Sequence, residues 1–288
     1  MKRKGLSRQI IEWALALFLA VLIFYLIYRE IGVPYQVSRT HSTHHLNEGD
    51  LIWLDSEPYE HLKEGSEFND IELAGLRDLV YFEFSNGDES QLPLTGLARI
   101  AGLPGDTVKI YNGTTYVNGR AVDFGQSEIR RYSMVLGDLV NKLSFKKSFQ
   151  IAEIFRWEID STNVETRIEI STTEKNAIYI AGMMPVKSMD HVVETGSNPR
   201  VFPNGLADQN ADNYGPVFVP RAGDSIKSDP YWQELITQSP AISRKVPDSL
   251  AQVFTEDFYF LLVDYRSKGN DSRFFGAIPQ SKIKSVLE

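Results

Sequence analysis

Residues 10–28, IIEWALALFLAVLIFYLIY, are apolar on every helical face, with Glu12 as the one charged exception. At 1.5 Å per residue a helix of this length rises ~28 Å, close to the thickness of a hydrocarbon core. A buried core helix would not explain the basic leader Lys2, Arg3, Lys4 and Arg8 ahead of a run that is apolar on every face. The run predicts one N-terminal transmembrane helix. The rival reading, a cleavable signal peptide, has a shorter apolar stretch and a small-x-small cleavage site, whereas Arg29-Glu30 follows here. Positive charge before the span keeps the N-terminus cytoplasmic and sends the body across the membrane. In a bacterium that is the inner (cytoplasmic) membrane with an extracytoplasmic body.

The leader carries no acid although the whole chain has a net charge of -8, so the body is more acidic than that total. Phosphate backbones repel such a surface, and no nucleic-acid partner is expected. The 288 residues contain no cysteine, which excludes disulfide scaffolds, thiolate metal sites and thiol catalysis. With 42% hydrophobic and 11% aromatic residues there is ample material for a packed core.

Turn chemistry organises the body. Gly49-Asp50 leads into a strand over Leu51-Ile52-Trp53-Leu54, and residues 78–85, DLVYFEFS, form another. Pro104-Gly105-Asp106 lies between two apolar runs as a hairpin-like corner, and Asn112-Gly113 and Asn118-Gly119 bracket TTYV as successive short strands. Residues 122–198 mix periodicities and read as an α+β insertion; the Asn-, Pro- and Gly-rich residues 199–227 read as a loop with a short edge strand between prolines. The expected organisation is a leader (1–9), a transmembrane helix (10–28), a mainly β core (29–121 and 228–288) and an insertion (122–227). Trp53, Tyr81, Phe274 and Phe275 are expected to pack in the interior.

In their order, these features resemble the type I signal peptidases, membrane-anchored serine peptidases with a Ser nucleophile and a Lys base. The anchor is followed by Pro34-Tyr35-Gln36 and then Gly49-Asp50. Residues 99–106, RIAGLPGD, are similar to the family's Gly-x-Pro-Gly-Asp turn after a basic pair, and residues 263–276, VDYRSKGNDSRFFG, are similar to its C-terminal box. The resemblance implies a signal-peptidase-type β fold with a partly apolar, membrane-facing surface. It implies no cofactor, and it names the membrane, signal peptides or preproteins, an active signal peptidase and the secretion machinery as partners. Asp264, Arg266, Asp271, Ser272 and Arg273 match the box positions that support the site and core.

The catalytic positions depart from the pattern. Aligned without a gap, the nucleophile position holds His41, the oxyanion-hole hydroxyl is replaced by Arg39, and the Lys base is replaced by Ala98. The Ser that helps orient the Lys is Gly269. An alanine cannot accept a proton, Arg99 remains charged, and Lys109 lies beyond the turn. Members that act as a unit have gone together, which implies a non-catalytic relative of the family. Two other readings remain open. Ser42, with a neighbouring histidine as base, would be a relocated dyad in an active endopeptidase, against which stands an ordinary turn serine. His41, His44 and His45 could hold a metal from one helical face, against which stands a solvated polar segment.

Overall fold

The computed structural model describes residues 6–31, 33–37, 46, 49–54, 75–84, 94–124, 128–203, 208–225, 229–238, 243–245, 252–268 and 270–287. The apolar run lies within helix α1 (Leu6–Ile31). Its side chains are described over residues 10–26 and all of them are exposed. That portion rises ~25 Å, and among the described residues no helix is long and apolar enough to cross a membrane.

Strands β1 (Val33–Gln36) and β2 (Leu51–Leu54) follow as an antiparallel pair, Tyr35 opposite Ile52. Next come β3 (Leu79–Phe84) and β4 (Leu94–Gly102), also antiparallel. After the Pro104-Gly105-Asp106 turn the chain makes a tight meander of β5 (Thr107–Tyr111), β6 (Thr114–Val117) and β7 (Arg120–Ala121). Both connections in the meander are two-residue Asn-Gly loops with positive φ at each position, 50° and 75°, then 51° and 78°. This is the turn whose twist matches paired strands, so the local sequence suffices to set it.

The insertion has its own architecture. Strand β8 (Ile129–Leu136), helix α2 (Lys142–Ser148), β9 (Glu153–Asp160), β10 (Glu165–Thr173), helix α3 (Glu174–Met183) and β11 (Val186–His191) build a four-stranded antiparallel sheet ordered β11-β8-β10-β9. The polar TTEKNA stretch starts α3: the Thr173 hydroxyl accepts from the Asn176 amide at 3.3 Å, and Ala177 and Ile180 are buried with Met134, Leu136, Ile168 and Ile170. Within 199–227 the expected short edge strand forms, and part of the stretch packs with the core. Strand β12 (Tyr214–Phe218) pairs with β5, and Val201, Phe202, Tyr214, Val217 and Val219 share one buried cluster with Phe258, Phe260 and Leu262. Their apolar side chains are needed to fill that core, and the polar residues between them hid this in the sequence.

The rest completes the core: helix α4 (Pro230–Gln238), β13 (Ser243–Lys245), β14 (Gln252–Phe254), β15 (Phe258–Leu262), a one-turn helix α5 (Ser272–Phe275), β16 (Ile278–Pro279) and β17 (Ile283–Leu287). Sheet order is β16-β15-β4-β3-β17 in one sheet and β12-β5-β6-β7 in the other. Because β4 and β5 belong to different sheets, the Pro-Gly-Asp turn is a corner between sheets and not a hairpin. Its bonds explain why. Gly105 N–H donates to Val219 C=O at 2.8 Å, Val219 N–H donates back to Asp106 C=O at 2.8 Å, and the Asp106 carboxylate accepts from Leu103 N–H at 2.8 Å and Asn118 at 2.7 Å. Gly105 has φ +85°, where any other residue is strained, and a Cβ there would displace the Arg221 guanidinium, 1.9 Å away.

Of the four aromatics expected inside, Tyr81 and Phe275 are buried and Phe274 packs partly buried against the core. Trp53 is instead 58% exposed. Strand alternation puts Leu51 and Trp53 on the outer face of β2, and the neighbouring Leu54 is the buried one.

Candidate functional site

Strand β4 presents two faces with different surroundings. Leu97 points into a small cluster with Val37, Leu54 and Tyr81, against which Tyr35 and Leu46 pack. Val37 N–H donates to Asp50 C=O and Gly49 N–H donates to Val37 C=O, both at 2.9 Å, so the residues flanking 38–48 are held together at this cluster. His41, Ser42, His44 and His45, and with them the nucleophile, relocated-dyad and metal readings, lie outside the described residues. So do Arg39 and Gly269. Among the described residues, no group of three or more His, Asp or Glu side chains is placed to hold a metal.

On the other face, Ala98 is 0% exposed and packs with Val80, Phe82, Ile100 and Leu261. It sits opposite Val80 in the β3–β4 ladder. Its neighbour Arg99 is fully engaged: Nε and Nη2 donate to the two carboxylate oxygens of Asp264 at 2.8 and 3.2 Å, and Nη1 donates to Arg77 C=O at 2.9 Å. Burial pushes the Asp264 carboxyl up, with the Arg99 guanidinium pulling against it. The Tyr81 phenol, pushed up to about 12 by burial and then by Glu83, stays protonated and donates to Glu83 at 3.1 Å. Lys109 is on β5 in the other sheet, 5.4 Å above the Tyr111 ring. Around position 98 the described side chains therefore offer hydrophobic contact and one satisfied ion pair, with no group poised to take a proton near neutral pH.

The five box residues come together behind β15. Asp271 and Arg273 are buried to 0% and 1% and form one ion pair: Oδ1 accepts from Arg273 Nε at 2.8 Å and Oδ2 from Nη2 at 2.8 Å. Oδ2 also accepts from Val263 N–H at 3.2 Å, and the Ser272 hydroxyl accepts from Leu261 N–H at 2.8 Å, so both residues tie the turn to β15. Arg273 reaches further, donating to Arg266 C=O at 2.9 Å and Ala211 C=O at 3.2 Å. Asp264 C=O accepts from Ile129 N–H at 2.8 Å, which joins the core to β8.

Arg266 Nε donates to Glu128 at 3.0 Å, and Glu128 accepts from Arg130 at 3.0 Å as well. Burial pushes the Glu128 carboxyl up, but the two guanidinium groups win and hold it below the usual carboxylate range. Glu128 was not singled out from the sequence. It is 138 residues from Arg266 and belongs to no motif, and only the docking of β8 on the box brings the two together.

The sequence profile described as "Signal peptidase, peptidase S26" matches residues 10–193. Among individual proteins, the chain is 33% identical over 126 residues to "Signal peptidase I S" of Bacillus subtilis (strain 168), covering 43% of this chain and 59% of that protein. It is 29% identical over 121 residues to "Signal peptidase I" of Bacillus licheniformis, covering 42% of this chain and 57% of that one. The chain thus spans under two thirds of the length of either relative.

Proposed function

The chain belongs to the signal peptidase family, peptidase S26, and from that premise we propose that it is a membrane-anchored signal-peptidase-type protein that holds extended peptides without cleaving them through a Ser/Lys dyad. The observation that carries the non-catalytic reading is Ala98. It occupies the position of the family's base as a fully buried alanine in an apolar cluster, beside an Arg99–Asp264 pair that is intact. His41 at the nucleophile position agrees with it. Peptide binding does not need the dyad. Among the described residues β1 and β2 pair as a two-stranded sheet, and an extended segment such as a signal peptide can add to such a sheet through backbone hydrogen bonds. The apolar run 10–28 behind a basic leader supports an uncleaved anchor in the bacterial inner membrane, with an extracytoplasmic body. The exposed Leu51 and Trp53 fit an edge turned to the lipid. Partners of this function are preproteins, an active signal peptidase or the secretion machinery.

The test is cleavage of a preprotein by the full-length chain in detergent, run beside the His41→Ser plus Ala98→Lys double variant, with saturable binding of a signal-peptide segment measured on both. Binding without cleavage by the unmodified chain is the expected result. Cleavage by the unmodified chain overturns the non-catalytic reading, and absence of saturable binding overturns the peptide-holding one.

A further inference from the structure

Residues of β8, of the segment 191–212 and of the box line a cleft of about 320 Å³. Its floor is Arg266, whose side chain is 8% exposed. Nε is used by Glu128, yet Nη1 and Nη2 are buried with no hydrogen-bond partner among the described residues. Leaving the two terminal groups of a guanidinium unpaired inside a protein is costly, because charged donors lose their hydration without replacement. Packing does not explain why they are there. The Phe124 ring lies 4.8 Å from the guanidinium carbon, and stacking of that kind satisfies the face of the group and not its N–H edge.

The charges around the cleft are unequal. Arg130, Arg131, Arg200 and Lys268 line it with Arg266, against Glu128, Glu194 and Asp212, in a chain whose net charge is -8. The carboxylates are committed to the protein. Glu128 takes Arg266 and Arg130; Glu194 takes Asn198 and the Ala211 amide, both at 2.9 Å; and Asp212 takes the Glu194 amide at 2.7 Å. Arg131 and Lys268 have their own partners in Glu169 and Glu153. The Arg200 side chain has none among the described residues and is exposed at the mouth. Arg266 and Arg130 thus share the single carboxylate of Glu128, the terminal N–H groups of Arg266 are left over, and Arg200 at the rim has no counter-charge among the described residues.

We propose that this cleft is a binding site for a small-molecule oxyanion, a phosphate or carboxylate group gripped end-on by Nη1 and Nη2 of Arg266 and closed over by Arg200. The forked spacing of guanidinium donors matches two oxygens of either group, and the low-dielectric floor strengthens the contact. The site is built from both the insertion, through Glu128 and β8, and the box. Occupancy would therefore rigidify the junction between them.

The experiment is calorimetric titration of the full-length chain in detergent with inorganic phosphate and, separately, with citrate, at ionic strength held constant with chloride. Heat of binding is read in preference to a thermal shift, because phosphate stabilises most proteins by exclusion from their surface. Saturable one-to-one binding of at least one anion, with Kd on the order of 1 mM or tighter, is expected; which anion binds tells a phosphate site from a carboxylate site. Arg200→Gln, at an exposed position, weakens it about tenfold, and Arg266→Lys, which keeps the charge but loses the fork, weakens it about tenfold or more. No saturable heat with either anion overturns the proposal. So does unchanged affinity in Arg200→Gln together with unchanged affinity in Arg266→Lys, and Arg200→Gln alone decides if the buried variant fails to fold.

Discussion

Replacing Asp271 by Asn removes one charge from the most deeply buried ion pair described and leaves the shape of the side chain almost unchanged. In the native protein the carboxylate accepts from Arg273 Nε and N–H on one oxygen and from Arg273 Nη2 and Val263 N–H on the other. The Asn oxygen can keep the first pair. The Asn NH₂ then faces Nη2 and the Val263 amide, donor against donor, with a guanidinium that is 1% exposed and has lost its counter-charge. Breaking a buried pair by removing one partner costs about 3–5 kcal/mol. The orphaned Val263 N–H moves the cost toward the upper end of that range. For a chain of this size such a loss lowers the thermal midpoint by roughly 10 °C. The assay is unfolding of the detergent-solubilised protein followed by near-UV circular dichroism, with Glu158→Gln as control, since the Arg156–Glu158 pair is more than half exposed on both sides and its loss leaves the midpoint unchanged. An Asp271→Asn variant within about 1 kcal/mol of the parent would refute the reasoning. Because Arg273 also donates to Arg266 C=O, the same substitution weakens anion binding in the cleft.

Three further outcomes follow from the same geometry. Gly105→Ala, at φ +85° and with a Cβ driven into Arg221, lowers stability by about 1–2 kcal/mol or more; an unchanged urea midpoint contradicts the account of the corner. Tyr231→Phe strands the buried Ala277 N–H, which donates to the Tyr231 hydroxyl at 2.8 Å, and costs about 1–3 kcal/mol in the same melt. Glu128 has a folded pKa below its ordinary 4.5, so its contribution is fully present above pH 4.5 and is lost as pH falls below it through the folded value. Glu128→Gln therefore lowers stability at neutral pH and flattens the acid limb of the stability–pH curve, and an acid limb of unchanged slope counts against the pairing with Arg266 and Arg130.

Much of the local structure was legible before any coordinates. The Asn-Gly steps at 112–113 and 118–119 place two residues at positive φ, and the strands they join appear where the alternating pattern puts them. The apolar run forms a helix, and the mixed pattern of the insertion becomes an α+β unit with its own core. The candidate site was legible only in part. Position 98 could be read as an alanine, but that it is sealed in an apolar cluster depends on β3 and β15 closing over both sides of β4. The Pro-Gly-Asp step could be read as a hairpin-like corner but not assigned to a boundary between sheets, because a turn motif carries the geometry of its own few residues and nothing about which strands pair on either side of it.

Backbone preferences and periodicity act over a few residues, so the sequence by itself determined the helix, the turns and most of the strands. It also determined the absence of a lysine at position 98. Tertiary structure alone decided the pairings of Arg99 with Asp264, 165 residues apart, and of Arg266 with Glu128, 138 apart. It alone turned Trp53 outward and drew Val201, Phe202, Tyr214, Val217 and Val219 into the core. The reason is physical: a charged or aromatic side chain has no preferred partner until chain folding sets which surfaces exclude water together, and only then does a buried guanidinium need a particular carboxylate.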